Sequence, residues 1–274
     1  MNKNKLNFFD KKLLSLNFSI ISAIFLIESF VLSFFEIGNC PKKILFFITI
    51  VVIICIYIIT YFHNYSKEQI SFSIGNNRIT IKFGDIFIED GIIVAGFNEY
   101  FDTLVDEKII EASSINGQVI KRFINNISSL DKEISNDLNC KNNIVETNSN
   151  RSEGKKTIYR LGTCYNAEKF IAVALTRFDE YNKGYLNLID YLPCLVHFWE
   201  QLNKVYPGDK NILIPLLGTG KTRSDFINRV SPQQIIEIML KTLEFTNVKF
   251  SNNISIVFVL PENIKKNICL YKLR

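Results

Sequence analysis

Two kinds of hydrophobic pattern divide the chain. Near the N-terminus apolar residues run on without alternation. LLSLNFSIISAIFLIESFVLSFF (13–35) and ILFFITIVVIICIYIITYF (44–62) are each long enough to cross a hydrocarbon layer of about 30 Å. The second run holds no charge, while the first carries Glu28 and several serines. The link EIGNCPKK (36–43), with Pro41 as a breaker, makes the pair a transmembrane helical hairpin occupying residues 1–65. From residue 66 the texture changes. ISFSI (70–74) and ITIKF (79–83) alternate as half-buried strands do, around the turn Gly75-Asn76-Asn77. GIIVAGF (91–97), NILIPLL (211–217) and SIVFVL (255–260) read as buried strands, and IYRLGTCY (158–165) and KFIAVALTRF (169–178) as two more. Helical spacing appears at 117–127, at 187–205, and from Ser231-Pro232 onward, where proline takes the first helical position. PENIKKNICLYKL (261–273) reads as a short closing helix, and the polar stretch 125–156 as a solvated, mobile insertion that is partly helical. Residues 66–274 are thus predicted to form an α/β domain, a mixed sheet sandwiched between helices.

Composition narrows the function. The net charge of +5 is spread rather than clustered, which gives nucleic-acid binding no support. Only His63 and His197 are present, so no zinc site can be assembled at recognised spacings, and no cofactor is implied. Cys140, Cys164, Cys194 and Cys269 lack a C-x-x-C pair and are expected as free thiols, as in a reducing compartment. Lysines 3, 5, 11 and 12 before the first span, with Lys67 and Arg78 after the second, bias both termini toward the cytoplasm of a multi-pass protein of the cell membrane. Glu28, inside the first span, needs a polar partner. A helix–helix contact or the lining of a pore in an oligomer would supply one, and so would a bond from the protonated carboxyl to neighbouring polar groups.

The run LLGTGKT (216–222) raises the question of a nucleoside triphosphatase. The P-loop pattern is Gly-x-x-x-x-Gly-Lys-Ser/Thr, which places its first glycine where this chain has Pro215. Proline offers no N–H to a phosphate. The strand SIVFVL ends in Pro261 rather than in a metal-binding aspartate. Gly218-Thr219-Gly220 can still turn backbone N–H groups toward an anion.

Four segments taken in order carry a resemblance. KFGDIF (82–87), IIVAGFNEYFDT (92–103), INGQV (115–119) and IPLLGTG (214–220) resemble, in order and spacing, the loops of a macro domain, the ADP-ribose-binding fold, over roughly residues 70–274. The resemblance implies that Asp85 and the Ile86 backbone meet adenine and that Asn98 holds the distal ribose. It also implies that Gly117, Gln118 and Val119 lie against the pyrophosphate and that Gly218, Thr219 and Gly220 form a second phosphate loop. Lys221, Thr222 and Arg223 would then face a further anionic group of the ligand. Hydrolytic members usually carry an earlier asparagine and a run of glycines. Ala95 and Asn116-Gly117-Gln118 stand there instead, which argues for a receptor rather than an enzyme.

A hairpin fused to such a domain is similar to the membrane effectors of the bacterial Thoeris anti-phage systems. YRLGTCY, KFIAVALTRFDEYNKGYL and IPLLGTGKTR carry that likeness. It implies a small-molecule partner, an ADP-ribose derivative such as histidine-ADP-ribose, made by a TIR-domain protein. It further implies homo-oligomerisation, membrane disruption and death of the infected cell. A membrane-anchored ADP-ribosyl hydrolase is the alternative.

Overall fold

The computed structural model describes residues 6–34, 38–206, 208, 210–219, 230–250 and 255–273. The chain divides into two compact units, one of residues 1–68 with 269–274, the other of Gln69–Ile268.

The first unit contains helices α1 (Lys11–Phe34) and α2 (Asn39–Tyr65), both long and apolar enough to cross a membrane. Asp10 starts α1 by accepting from the Lys12 and Leu13 N–H groups at 3.0 and 3.3 Å. Helix α2 begins ahead of the expected span and includes Pro41. In a first turn the missing proline N–H forfeits no helical bond, so Pro41 opens the helix rather than breaking the link. Thr49 of α2 donates to the Glu28 carboxylate at 3.2 Å, which gives Glu28 a partner inside the hairpin. The last residues do not form the expected single helix. They form two 3-10 turns, Glu262–Asn267 and Leu270–Leu273. Within the first unit Cys269 is buried in a cluster with Leu6 and Leu13, flanked by Tyr57, Tyr61 and Tyr271.

The second unit is built on a sheet of β1 (Gln69–Ile74), β2 (Asn77–Phe83), β3 (Ile92–Asn98), β6 (Cys164–Asn166), β7 (Phe170–Phe178), β8 (Gly184–Tyr185), β9 (Ile212–Ile214) and β10 (Ser255–Leu260). Its order is β1-β2-β10-β9-β3-β7-β6, with β8 added to β7. The five central strands are mutually parallel, while β1, β6 and β8 pair antiparallel. A parallel strand must be covered on both faces. Alternate residues of β10 record this. Val257 and Val259 join a core with Val119, Ile120, Leu130 and Ile134. Phe258 points the other way, edge-on to the fully buried Trp199 of helix α6 (Leu188–Val205). The Trp199 indole donates to Thr242 of helix α7 (Pro232–Thr246) at 3.0 Å, joining the two helices of that layer. A capping box at Ser231 and Gln234 starts α7 where the sequence placed it.

Two stretches differ from the sequence reading. Residues 158–165 are not one strand: β5 (Thr157–Tyr159) and β6 are separated by a turn in which Thr163 bonds back to the Arg160 carbonyl at 2.6 Å. The polar stretch 125–156 is partly helical as expected, but it also carries a strand and buried side chains. It forms helices α4 (Ile127–Asn136) and α5 (Leu138–Lys141) and strand β4 (Ile144–Thr147), which pairs with β5. Its few apolar residues explain this, because Leu130, Ile134 and Cys140 fall on one side and are buried.

Candidate ligand-binding site

Parallel strands end on the same edge of a sheet, and there the backbone has to open. The C-terminal ends of β3, β7, β9 and β10 surround a cavity of about 620 Å³. Its walls are Gly96–Asn98, Leu175, Thr176 and Phe178, Pro215–Thr219 and Pro261. Lys108, Glu111 and the first turn of helix α3 (Ile115–Phe123) close one side, and Asn182–Gly184 another.

Helix α3 is capped by Ser114, whose hydroxyl accepts from Gly117 N–H at 3.1 Å. Among the described residues, the N–H groups of Ile115 and Asn116 have no acceptor, and both residues line the cavity. A helix start with open N–H groups carries a partial positive charge, suited to phosphate. Gly117 itself is buried one step behind this wall. A Cβ there would run into the Glu111 carbonyl oxygen, so only glycine lets the Glu111 loop close on the helix. On the opposite wall Gly218 has φ +85°, a conformation side chains rarely adopt. Tyr191 of α6 holds this loop by donating to the Leu217 carbonyl at 2.9 Å. The Thr219 hydroxyl bonds to the Leu216 carbonyl at 2.8 Å.

The residues named from sequence separate into three groups. Asn98, Gly218 and Thr219 line the cavity. Asp85, Ile86, Gly117, Gln118 and Val119 do not. Asp85 follows β2 at the same sheet edge, exposed, and accepts from Phe87 N–H at 2.9 Å to cap a 3-10 turn. Ile86 and Val119 are buried in the core, and Gln118 donates to the Ser113 carbonyl at 3.1 Å. Gly220, Lys221, Thr222 and Arg223 lie outside the described residues. Asn98 is also occupied. Its amide oxygen accepts from the N–H groups of Tyr100 and Asp102, and its nitrogen donates to Asp102 at 2.9 Å, which leaves one amide hydrogen for a ligand.

Several lining residues escaped the sequence reading. Lys108, Asn182 and Lys183 come from irregular segments with no periodic signal. Ser114 did carry one, as a serine immediately before an apolar helical run.

Behind the wall, charge is tightly paired. Glu99 is buried and receives the Arg177 guanidinium at 3.1 Å and the Phe178 N–H at 3.1 Å, while Arg177 also reaches Asp190 at 3.2 Å. Their proton affinities respond differently. Burial raises the Glu99 carboxyl above its ordinary value despite Arg177. Arg177, partly exposed, is held charged first by its bond to Asp190. Burial also pushes the Cys140, Cys164 and Cys194 thiols up, Cys194 to about 12, so none supplies a thiolate near neutral pH. Cys55, Cys140, Cys164, Cys194 and Cys269 are all free. His197 sits in the core with its Nδ1 at 2.9 Å from the Leu161 carbonyl, and burial lowers its pKa. Among the described residues no cluster of acidic, histidine and cysteine side chains could hold a metal.

A mixed sheet between helices, open at its parallel strand ends to a cavity with a helix start on one wall and a glycine loop on the other, is a macro domain. Residues 79–260 match the family model described as Thoeris protein ThsA, macro domain. Over 261 residues the chain is 34% identical to Thoeris protein ThsA of Bacillus amyloliquefaciens strain Y2, covering 93% of this chain and 86% of that protein. The chain belongs to the Thoeris protein ThsA family. Solved macrodomains of Oceanobacillus iheyensis are more distant. One solved with ADP is 17% identical, with coverage of 75% of this chain and 94% of that one and a TM-score of 0.43. A mutant solved with ADPR is 15% identical, with coverage of 75% and 94% and a TM-score of 0.43.

Proposed function

We propose that the macro domain is a receptor for an ADP-ribose-derived signal, with histidine-ADP-ribose as the form implied by the Thoeris likeness. A TIR-domain protein would make the signal. Occupancy would drive assembly of the chain and disruption of the membrane in which α1 and α2 sit. The observation that carries this reading is the cavity, which has an uncompensated helix start on one wall and the Gly218 loop on the other. That pair of walls suits a pyrophosphate, and the volume suits a dinucleotide-sized compound. Ala95 is fully buried in β3 and brings no polar group to the cavity, which supports binding over hydrolysis. Occupancy can favour assembly only if the ligand binds the assembled state more tightly, so the receptor must differ between the two states.

Calorimetry on the full chain in detergent tests the reading, with ADP-ribose, histidine-ADP-ribose, NAD and ATP compared side by side. The expected result is binding of the ADP-ribose compounds without turnover, and silence with ATP. Asn98→Ala, at a residue that lines the cavity, should weaken that binding while leaving the chain in the detergent-extracted membrane fraction. Release of ADP-ribose from an ADP-ribosylated protein would favour the hydrolase instead. Binding of ATP alone would return the glycine loop to a nucleotide-hydrolase role.

A further inference from the structure

Four residues that line the cavity are held by one short loop that does not line it. The loop, residues 148–156, joins β4 to β5. Its Arg151 is buried and forms an ion pair with Asp102 at 2.6 Å. Asp102 in turn accepts from the amide nitrogen of Asn98, a cavity residue. The same guanidinium donates to the Asn182 side-chain oxygen through Nε at 3.0 Å and through Nη2 at 2.7 Å. Asn182, at φ +58°, also lines the cavity. The guanidinium carbon lies 3.8 Å from the centroid of the Tyr100 ring and 5.7 Å from that of Phe178, a third cavity residue. Two residues on, Glu153 pairs with Lys108, the fourth. The loop is closed on itself by Arg151 donating to the Lys155 carbonyl, and it is tied a second time to Asp102 by the Lys155 N–H.

A planar fork with five fixed N–H directions makes two bonds to Asp102, two to Asn182 and one to the Lys155 carbonyl, and the three N–H groups of a lysine ammonium cannot supply that set. We propose that Arg151 is a positioning residue for the side of the cavity formed by β3 and β7, so that the insertion tunes affinity for the part of a ligand that reaches Asn98 and Asn182. This rests on the ADP-ribose reading, in which the distal ribose lies at Asn98.

The test compares ADP-ribose with ADP, which lacks that ribose, by calorimetry on the full chain in detergent. Arg151→Lys keeps the charge opposite Asp102 but loses the fork. ADP-ribose affinity should fall about tenfold or more while ADP affinity stays within about twofold, the size expected for losing charge-assisted hydrogen bonds at one end of a site. Equal losses for both compounds, or no loss for either, would reduce the loop to a scaffold and overturn the proposal. Should Arg151→Lys not fold by thermal melting, Asp102→Asn takes its place: a loss confined to ADP-ribose supports the proposal, and equal or absent losses overturn it. A wild-type chain that binds neither compound sinks the receptor reading, and this inference with it.

Discussion

Glu99 lies behind the cavity wall, and its shift has a pH signature. Its folded pKa is raised by burial above the ordinary glutamate value, so the folded state binds the proton more tightly than the unfolded chain. The sign follows from linkage. Stability from this group is full below the unfolded pKa, declines as pH climbs from there to the raised folded value, and then levels. Melting curves across that acidic window should show the decline in the wild type, and Glu99→Gln should flatten it. An unchanged slope in the variant would assign the dependence to other carboxylates. At this scale the sequence was least legible. Asn98 could be singled out as a loop asparagine, but nothing local reveals that Asp102 consumes its amide. Arg151, Asn182 and Lys108 meet only because distant segments fold together. A cation in a polar stretch looks solvated until its partner, 49 residues away, is known.

Periodicity carried more at the scale of elements. Strands β3, β7, β9 and β10 are largely apolar because both faces are covered, and that pattern placed them. The opening of α3 was legible in INGQV, but the cavity-facing turn starts at Ser113 and Ser114, ahead of the glycine. Glycine appears there because the Glu111 carbonyl presses on it, a tertiary demand with no local signature. Gly117→Ala should therefore destabilise the domain by about 1–3 kcal/mol, as overpacking does. A guanidinium chloride titration would read it as a lower midpoint. A midpoint equal to the wild type would mean that the Glu111 loop yields freely and that glycine serves some other purpose. The short turns hid from the pattern for a different reason. The break between β5 and β6 depends on Thr163 folding back on Arg160, and the 3-10 turns after Pro261 have too few residues to show a period.

Over the whole molecule, the change from a long apolar hairpin to an α/β domain near residue 68 was visible from hydropathy, but the return of residues 269–274 to the first unit was not. Membrane residence can be checked directly. The chain should remain in the pellet after an alkaline carbonate wash, and removing residues 11–65 should release it to the supernatant. Release of the intact chain would make α1 and α2 peripheral. The hydropathy pattern did not disclose the fate of the final residues, because a six-residue tail has no pattern of its own. Cys269 is buried with Leu6 and Leu13, so segments far apart in sequence meet in one cluster. Synthesis proceeds from the N-terminus, so the hairpin emerges before residues 269–273. Leu6 and Leu13 therefore have only the cover that Tyr57 and Tyr61 give until Cys269 and Tyr271 have been made. A chain truncated before Cys269 leaves this cluster incomplete however well the second unit has folded.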